Sequence, residues 1–203
     1  MKIELEDIMF WMDAIRNSED RYRTLESFWK GQLRSKRWLI DSLDQVAWHK
    51  PARIVIHGGW NGVLATMLFN SDLPIKHITS VDIDPDCKNV ALTMNKRYEI
   101  EGRFTAVTAD MCDYKGAADI VINTSCEHIT QEQYDKWLAN VPDNSIIVLQ
   151  SNNYTDLDEH IRCAEDLDEF TSQSNIQPHI RDVYSHEKYE RYMLIGKKKL
   201  VQV

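Results

Sequence analysis

From Pro51 onward, short apolar runs alternate with stretches whose apolar residues recur at helical spacing. "ARIVIH" predicts a strand and "NGVLATMLFN" a helix. "IKHITSVDI" predicts a strand, and "PDCKNVALTMNKRYE" a helix opened by Pro85, where a missing N–H costs nothing. "RFTAVTAD", "ADIVIN" and "NSIIVLQ" follow as strands, with the helical "TQEQYDKWLANV" between the last two. "TDLDEHIRCAEDLDEFTS" reads as an acidic amphipathic helix that turns Leu157, Ile161, Ala164 and Leu167 inward. "QPHIRDVYS" and "YERYMLIGK" read as two strands joined tightly around His186 and Glu187.

The first fifty residues are helical in pattern. "LEDIMFWMDAIRN" puts Ile8, Met9, Met12 and Ile15 on one stripe, with Phe10 and Trp11 beside it. "TLESFWKGQLRSKRWLIDSLDQVAW" carries Leu25, Phe28, Trp29, Leu33, Trp38, Leu39, Leu43 and Val46 at helical spacing. A break is expected near Gly31 or Ser35, Thr24 is the candidate cap, and Trp29 and Trp38 read as core. Five apolar strands interleaved with helices require parallel pairing, because parallel strands need crossovers. The last two strands have no helix between them and should pair antiparallel. The expected fold is therefore α/β: a doubly wound, mostly parallel seven-stranded sheet with an antiparallel terminal hairpin and N-terminal helices.

Composition narrows the function. The 203 residues are 43% hydrophobic and 28% charged, ordinary for a soluble globular chain. No apolar run is long enough to cross a bilayer, and the acidic, amphipathic start does not read as a signal peptide. Cys87, Cys112, Cys126 and Cys163 are widely spaced, so neither a zinc ribbon nor a disulfide framework is implied. A reducing, cytoplasmic setting is expected. The net charge of -8 leaves only "RSKR" (Arg34 to Arg37) and "KKK" (Lys197 to Lys199) as basic runs, which disfavours nucleic acid as a partner. The seven histidines show no HxxxH or comparable ligand spacing, so no metal is expected.

In doubly wound sheets, ligands sit at the carboxyl ends of the strands. After the first strand stand Gly58, Gly59, Trp60, Asn61 and Gly62, where glycine lets the backbone turn sharply and approach a ligand. The second strand ends in "SVDID". Asp82 lies at the distance past the glycines expected of a carboxylate that accepts ribose hydroxyls, with Ile83 beside it. Asp84 before Pro85 reads as a helix cap. At the end of the third strand Asp110 is placed to take an amino proton from an adenine ring, and Met111 to lie against its face. The fourth strand ends in "INTSCEHI", which sets Asn123 and Thr124 before Cys126, Glu127 and His128.

In this order the segments resemble the class I S-adenosylmethionine-dependent methyltransferase family. "GGWNG" is similar to its glycine motif, "VDIDP" to its ribose-binding acidic motif, "ADM" to its adenine-contacting motif, and "DIVINTSCEHI" to its fourth-strand segment. The resemblance runs from Arg53 to Gln150, and the terminal strand pair agrees with it. It implies residues 51–203 as a Rossmann-like S-adenosylmethionine-binding domain, with residues 1–50 as a helical cap packed on it. Two departures stand out. The family's first strand carries an acid near the position of Ile56, and its second glycine is replaced here by Trp60. Gln32, Ser35 and Lys36, on one helix face, are the candidates to receive the methionine end instead, with Asn123.

The resemblance implies methyl transfer to a small molecule. His128, Glu127 and Asn123 are the candidate catalytic residues, a Cys126–His128 nucleophile is a weaker reading, and Asn152, Asn153 and Tyr154 are possible acceptor contacts. Two alternatives stay open: non-methyl chemistry on the same cofactor (cyclisation or alkyl transfer), or a catalytically inactive nucleotide-binding module. No membrane partner is expected. The aromatic N-terminal helices could form a homodimer face.

Overall fold

A computed structural model describes residues 3–46 and 50–199. Ala47 and Trp48, at the end of the second helical stretch, and His49 lie outside the described residues. The chain forms two compact units, Met1–Met111 and Cys112–Val203.

The first unit runs α1 (Leu5–Asn17), α2 (Arg21–Glu26), α3 (Lys30–Leu43), β1 (Ala52–His57), α4 (Val63–Phe69), β2 (Ile75–Asp82), α5 (Pro85–Met94), α6 (Lys96–Ile100) and β3 (Phe104–Thr108). The second runs β4 (Ile120–Asn123), a 3₁₀ turn (Cys126–His128), α7 (Gln131–Asn140), β5 (Ile146–Asn152), α8 (Leu167–Ser174), β6 (Ile176–Ser185) and β7 (Glu190–Lys198). The strands are ordered β3-β2-β1-β4-β5-β7-β6 in a mixed, mostly parallel seven-stranded sheet. β1, β2 and β3 pair in parallel, as do β4 and β5, whereas β7 runs antiparallel to both β5 and β6. Ile54, Val55 and Ile56 of β1 and Ile120, Val121 and Ile122 of β4 are all buried. Burial of successive residues means that both faces are covered, which is why these strands read as continuous apolar runs.

The N-terminal helices depart from the pattern reading. α1 buries Asp7 and Ala14 and half-buries Trp11, while Ile8, Met9 and Met12 of the predicted inner stripe are exposed. Asp7 explains the rotation. Its Oδ2 lies 3.1 Å from Arg97 Nη1 of α6 and accepts from the Glu4 N–H at 3.0 Å, so the carboxylate must face inward. Ala14 then packs with Val63, Val90 and Met94. The break in the second helical stretch falls at 27–29, ahead of Gly31 and Ser35, which are both inside α3. Asp20, not Thr24, caps α2 by accepting from the Arg23 N–H at 2.9 Å. Trp29 is exposed rather than core, with its ring lying over Gly31.

The predicted acidic helix is the largest correction. Only its end is helical, starting after Asp166, whose side chain accepts from the Glu169 N–H at 2.8 Å. Residues 155–166 are irregular, and Leu157 and Ile161 are exposed. Among the described residues no helix is long and apolar enough to cross a membrane.

Candidate functional site

In the first unit, chain direction reverses tightly between β1 and α4. Gly58, Trp60 and Gly62 take positive φ values of 65°, 48° and 77°. A Cβ at the intervening Gly59 would overlap Ser80 Oγ on β2, so that hydroxyl would have to turn away. Gly62 is fixed from outside the loop. The buried Asn95 side chain donates to its carbonyl at 3.1 Å and accepts from Thr66 Oγ1 at 2.9 Å.

Trp60 takes a left-handed backbone conformation although it has a Cβ, a cost of about 1–2 kcal/mol for a non-glycine residue. The offsetting interaction is specific: the Trp60 N–H donates to Asp82 Oδ2 at 2.7 Å. Oδ1 of the same carboxylate accepts from the Asp84 N–H at 3.0 Å. Asp82 therefore joins the glycine loop to the end of β2. Each of its oxygens keeps a further lone pair for an outside donor. Asp84 caps α5, as its place before Pro85 suggested, accepting from the Asp86 N–H at 3.0 Å. That bond and the Arg23 guanidinium, 2.6 Å away, hold its carboxyl below the usual range.

Ile83 is exposed beside Asp82. The Ala109 N–H donates to the Asp82 carbonyl at 2.9 Å, so the turn after β3 that leads into Asp110 and Met111 starts beside the end of β2. Asn61 is buried, and its Nδ2 has no hydrogen-bond partner among the described residues. On α3, which packs against α4, Lys36 donates to Gln32 Oε1 at 2.7 Å and Ser35 is buried. At the end of β1, Ile56 is core. His57 is buried, and desolvation pushes its pKa down to about 4, so it is neutral at physiological pH.

The second unit assembles a different cluster. The buried Asn123 accepts from the Ser125 N–H at 2.9 Å and so shapes the turn that carries Cys126, Glu127 and His128. Thr124 gives its carbonyl to Arg191 Nη2 at 3.1 Å. Glu127 is 2% exposed, and its Oε1 accepts from Asn152 Nδ2 at 2.7 Å. Asn152 is oriented in turn by the Tyr154 N–H, which donates to its Oδ1 at 2.9 Å. Asn153 instead tethers β7, accepting from the Glu190 N–H at 2.8 Å.

The irregular 155–166 segment supplies the residue that the sequence did not suggest. The Ile161 and Arg162 N–H groups both donate to the Glu127 carbonyl, at 2.9 and 3.0 Å. Arg162 is buried, bonds to Gln131 Oε1 and to the Gln173 and Cys126 carbonyls, and lies over the Tyr134 ring. This anchoring sets His160 beside His128, with ring centroids 4.8 Å apart. The Cys126–His128 nucleophile has no support. Cys126 is fully buried, and burial pushes its thiol up to about 12, so no thiolate forms at neutral pH. None of the four cysteines, all of them described, is in a disulfide.

No protein-family model matches the chain, and no curated protein matches it. Solved structures do match, across nearly its whole length. Magnesium protoporphyrin IX methyltransferase (ChlM) from Synechocystis PCC 6803 with bound SAH is similar at 13% identity and a TM-score of 0.66, over 95% of this chain and 94% of that one. A single-site mutant of MtNAS in complex with S-adenosylmethionine is similar at 15% identity and a TM-score of 0.61, over 96% and 72%. The pyocyanin biosynthetic protein PhzM is similar at 11% identity and a TM-score of 0.64, over 93% and 62%. The chain thus has the class I S-adenosylmethionine-dependent methyltransferase fold, as its motifs implied.

Proposed function

We propose that this chain is an S-adenosylmethionine-dependent methyltransferase acting on a small molecule. The observation that carries the reading is the Asp82 carboxylate, fixed by two backbone N–H groups at the end of β2 and joined to a glycine loop of left-handed residues. A carboxylate so placed suits a ribose diol, with Asp110 and Met111 following for the adenine. The loop also fits a polar ligand on a second count: Asn61 Nδ2 is a buried donor without a partner among the described residues, which costs about 1–3 kcal/mol until an acceptor reaches it.

When bound, the cofactor supplies a methyl group on a sulfonium for in-line displacement. The chain's task is to hold the adenosine end with Gly58, Gly59, Trp60, Asn61, Gly62, Asp82 and Ile83, and to align an acceptor. No acid stands at the end of β1, where Ile56 is core and His57 neutral. The methionine end is assigned instead to Gln32, Ser35 and Lys36 of α3. His128, with Glu127 and Asn123, is the acid–base candidate on the acceptor side.

A second reading keeps the cofactor and changes the reaction. It is favoured by the similarity to MtNAS, whose structures include one with S-adenosylmethionine and one with MTA and tNA. Calorimetry with S-adenosylmethionine, S-adenosylhomocysteine and NAD tests the cofactor. Binding of the two sulfur compounds but not of NAD is expected, and failure of both removes the proposal. Asp82→Ala should weaken S-adenosylhomocysteine binding by about 1–3 kcal/mol, and an unchanged affinity would show that the ribose lies elsewhere. Mass spectrometry separates the two readings, since release of methylthioadenosine without a methylated acceptor points to the second.

A further inference from the structure

We infer that Glu127, His128 and His160 form a binding site for a divalent transition-metal ion. One carboxylate oxygen and one imidazole nitrogen from each histidine all lie within 4.8 Å of one another. Ligands about 2.1 Å from one ion stand no more than about 4.2 Å apart, so the widest pair must close slightly. His128 is exposed and free to turn toward the other two, which the fold holds in place.

Three observations distinguish this cluster from a chance gathering of polar groups. Glu127 is 2% exposed, yet its Oε2 has no hydrogen-bond partner among the described residues. A buried carboxylate oxygen without a donor is costly, and a bound cation is one of the few things that offsets it. Second, the outer partners that orient metal ligands are present. His160 Nδ1 lies 2.6 Å from the Tyr154 carbonyl, which can only accept, so Nδ1 carries the proton and Nε2 is left to coordinate. Asn152 does the same for Glu127, holding Oε1 and leaving Oε2. Third, the ligand set is chemically selective. Two imidazoles and one carboxylate suit zinc, iron(II), cobalt or nickel better than magnesium or calcium, and three protein ligands leave coordination positions open.

Arg191 is the charge that opposes the ion. Its Nη2 is 3.9 Å from Glu127 Oε1, on the oxygen that Asn152 already holds, and donates to the Thr124 carbonyl. It moderates affinity without blocking Oε2. As a metal ligand, His128 is no longer the base proposed above. The ion would then polarise whatever oxygen or nitrogen occupies its open position. The inference concerns the second unit alone and does not depend on the cofactor.

The test is titration of untagged, metal-stripped protein with cobalt(II), read by visible absorption, followed by zinc competition, both without S-adenosylmethionine. One equivalent with nitrogen and oxygen d–d bands, displaced by zinc, is expected. His128→Ala and His160→Ala should each weaken binding more than about 100-fold, and Asn152→Ala about 10–100-fold as an outer partner. His128 is exposed, so His128→Ala should keep the parent's circular dichroism and melting temperature even if His160→Ala does not fold. Absence of binding, or binding unchanged by His128→Ala, overturns the site. A strong thiolate charge-transfer band would place the ion on Cys163, whose Sγ lies 3.2 Å from the Tyr154 carbonyl, and overturn the ligand set.

Discussion

The glycine loop and the Glu127 cluster are two polar sites built in opposite ways. The loop is contiguous: five residues in a row take their shape from three positive φ values and are braced by one carboxylate a strand away. The cluster is assembled: two neighbours on a 3₁₀ turn meet a histidine delivered by an irregular segment that one buried arginine pins down. Local sites can be seen in a sequence because glycine and aspartate are scarce answers to specific backbone problems. Assembled sites cannot, because histidine and glutamate carry no mark of what the fold will bring beside them.

The contrast predicts that the two can be damaged separately. Arg162→Ala removes a buried donor from the Gln173 and Cys126 carbonyls and from Gln131 Oε1, and should cost about 3–5 kcal/mol in chemical denaturation. It should also release residues 155–166 and abolish cobalt binding, while cofactor affinity stays close to the parent's. Retention of cobalt binding in this variant would show that His160 does not depend on the arginine for its place.

Acid acts on the first region through His57. Its folded pKa of about 4 lies below the unfolded value of about 6.5, so the unfolded chain takes up its proton first as the pH falls. The contribution is fully present above about pH 6.5 and is lost progressively toward pH 4, about 3 kcal/mol in all. Melting temperatures across that window should fall less steeply for His57→Gln than for the parent. Equal slopes would mean that His57 is solvated.

The same contrast explains what could be read in advance. Every strand of the sheet was visible, since β1 and β4 are buried on both faces and the hairpin strands have no room for a crossover. Asp82 was visible because its spacing from the glycines is set by one helix and one strand. The orientation of α1 was not: Ile8, Met9, Met12 and Ile15 form as convincing a stripe as any, and only the pairing of Asp7 with Arg97 turns the first three outward. Residues 155–166 failed for the same reason. Their apolar spacing is helical, but Arg162 and two backbone N–H groups find better partners on α7, α8 and the 3₁₀ turn than in a helix. In both places a buried charge with a distant partner overrode local periodicity. His160 was lost with that segment, and with it the cluster it forms with Glu127 and His128, because ligand spacing was read along the chain.

Within the loop, the glycines and the tryptophan should respond unequally. Gly62→Ala places a Cβ at φ 77° and 3.1 Å from Ala91 Cβ, with Asn95 Nδ2 at 2.7 Å. Strain and crowding together should cost about 2–3 kcal/mol in denaturant titration. A value below about 1 kcal/mol would mean that the loop relaxes.

Trp60→Asn should cost far less. Asparagine tolerates the left-handed region better than tryptophan does, and its N–H can still donate to Asp82. Relief of backbone strain and loss of a half-buried ring oppose each other, so stability should stay within about 1 kcal/mol of the parent. Cofactor affinity should nevertheless fall, because strained residues cluster at ligand sites and the ring is the part of Trp60 that asparagine lacks. If Trp60→Asn unfolds more readily by over about 2 kcal/mol and binds S-adenosylhomocysteine unchanged, the ring is a packing residue and the pocket wall is elsewhere.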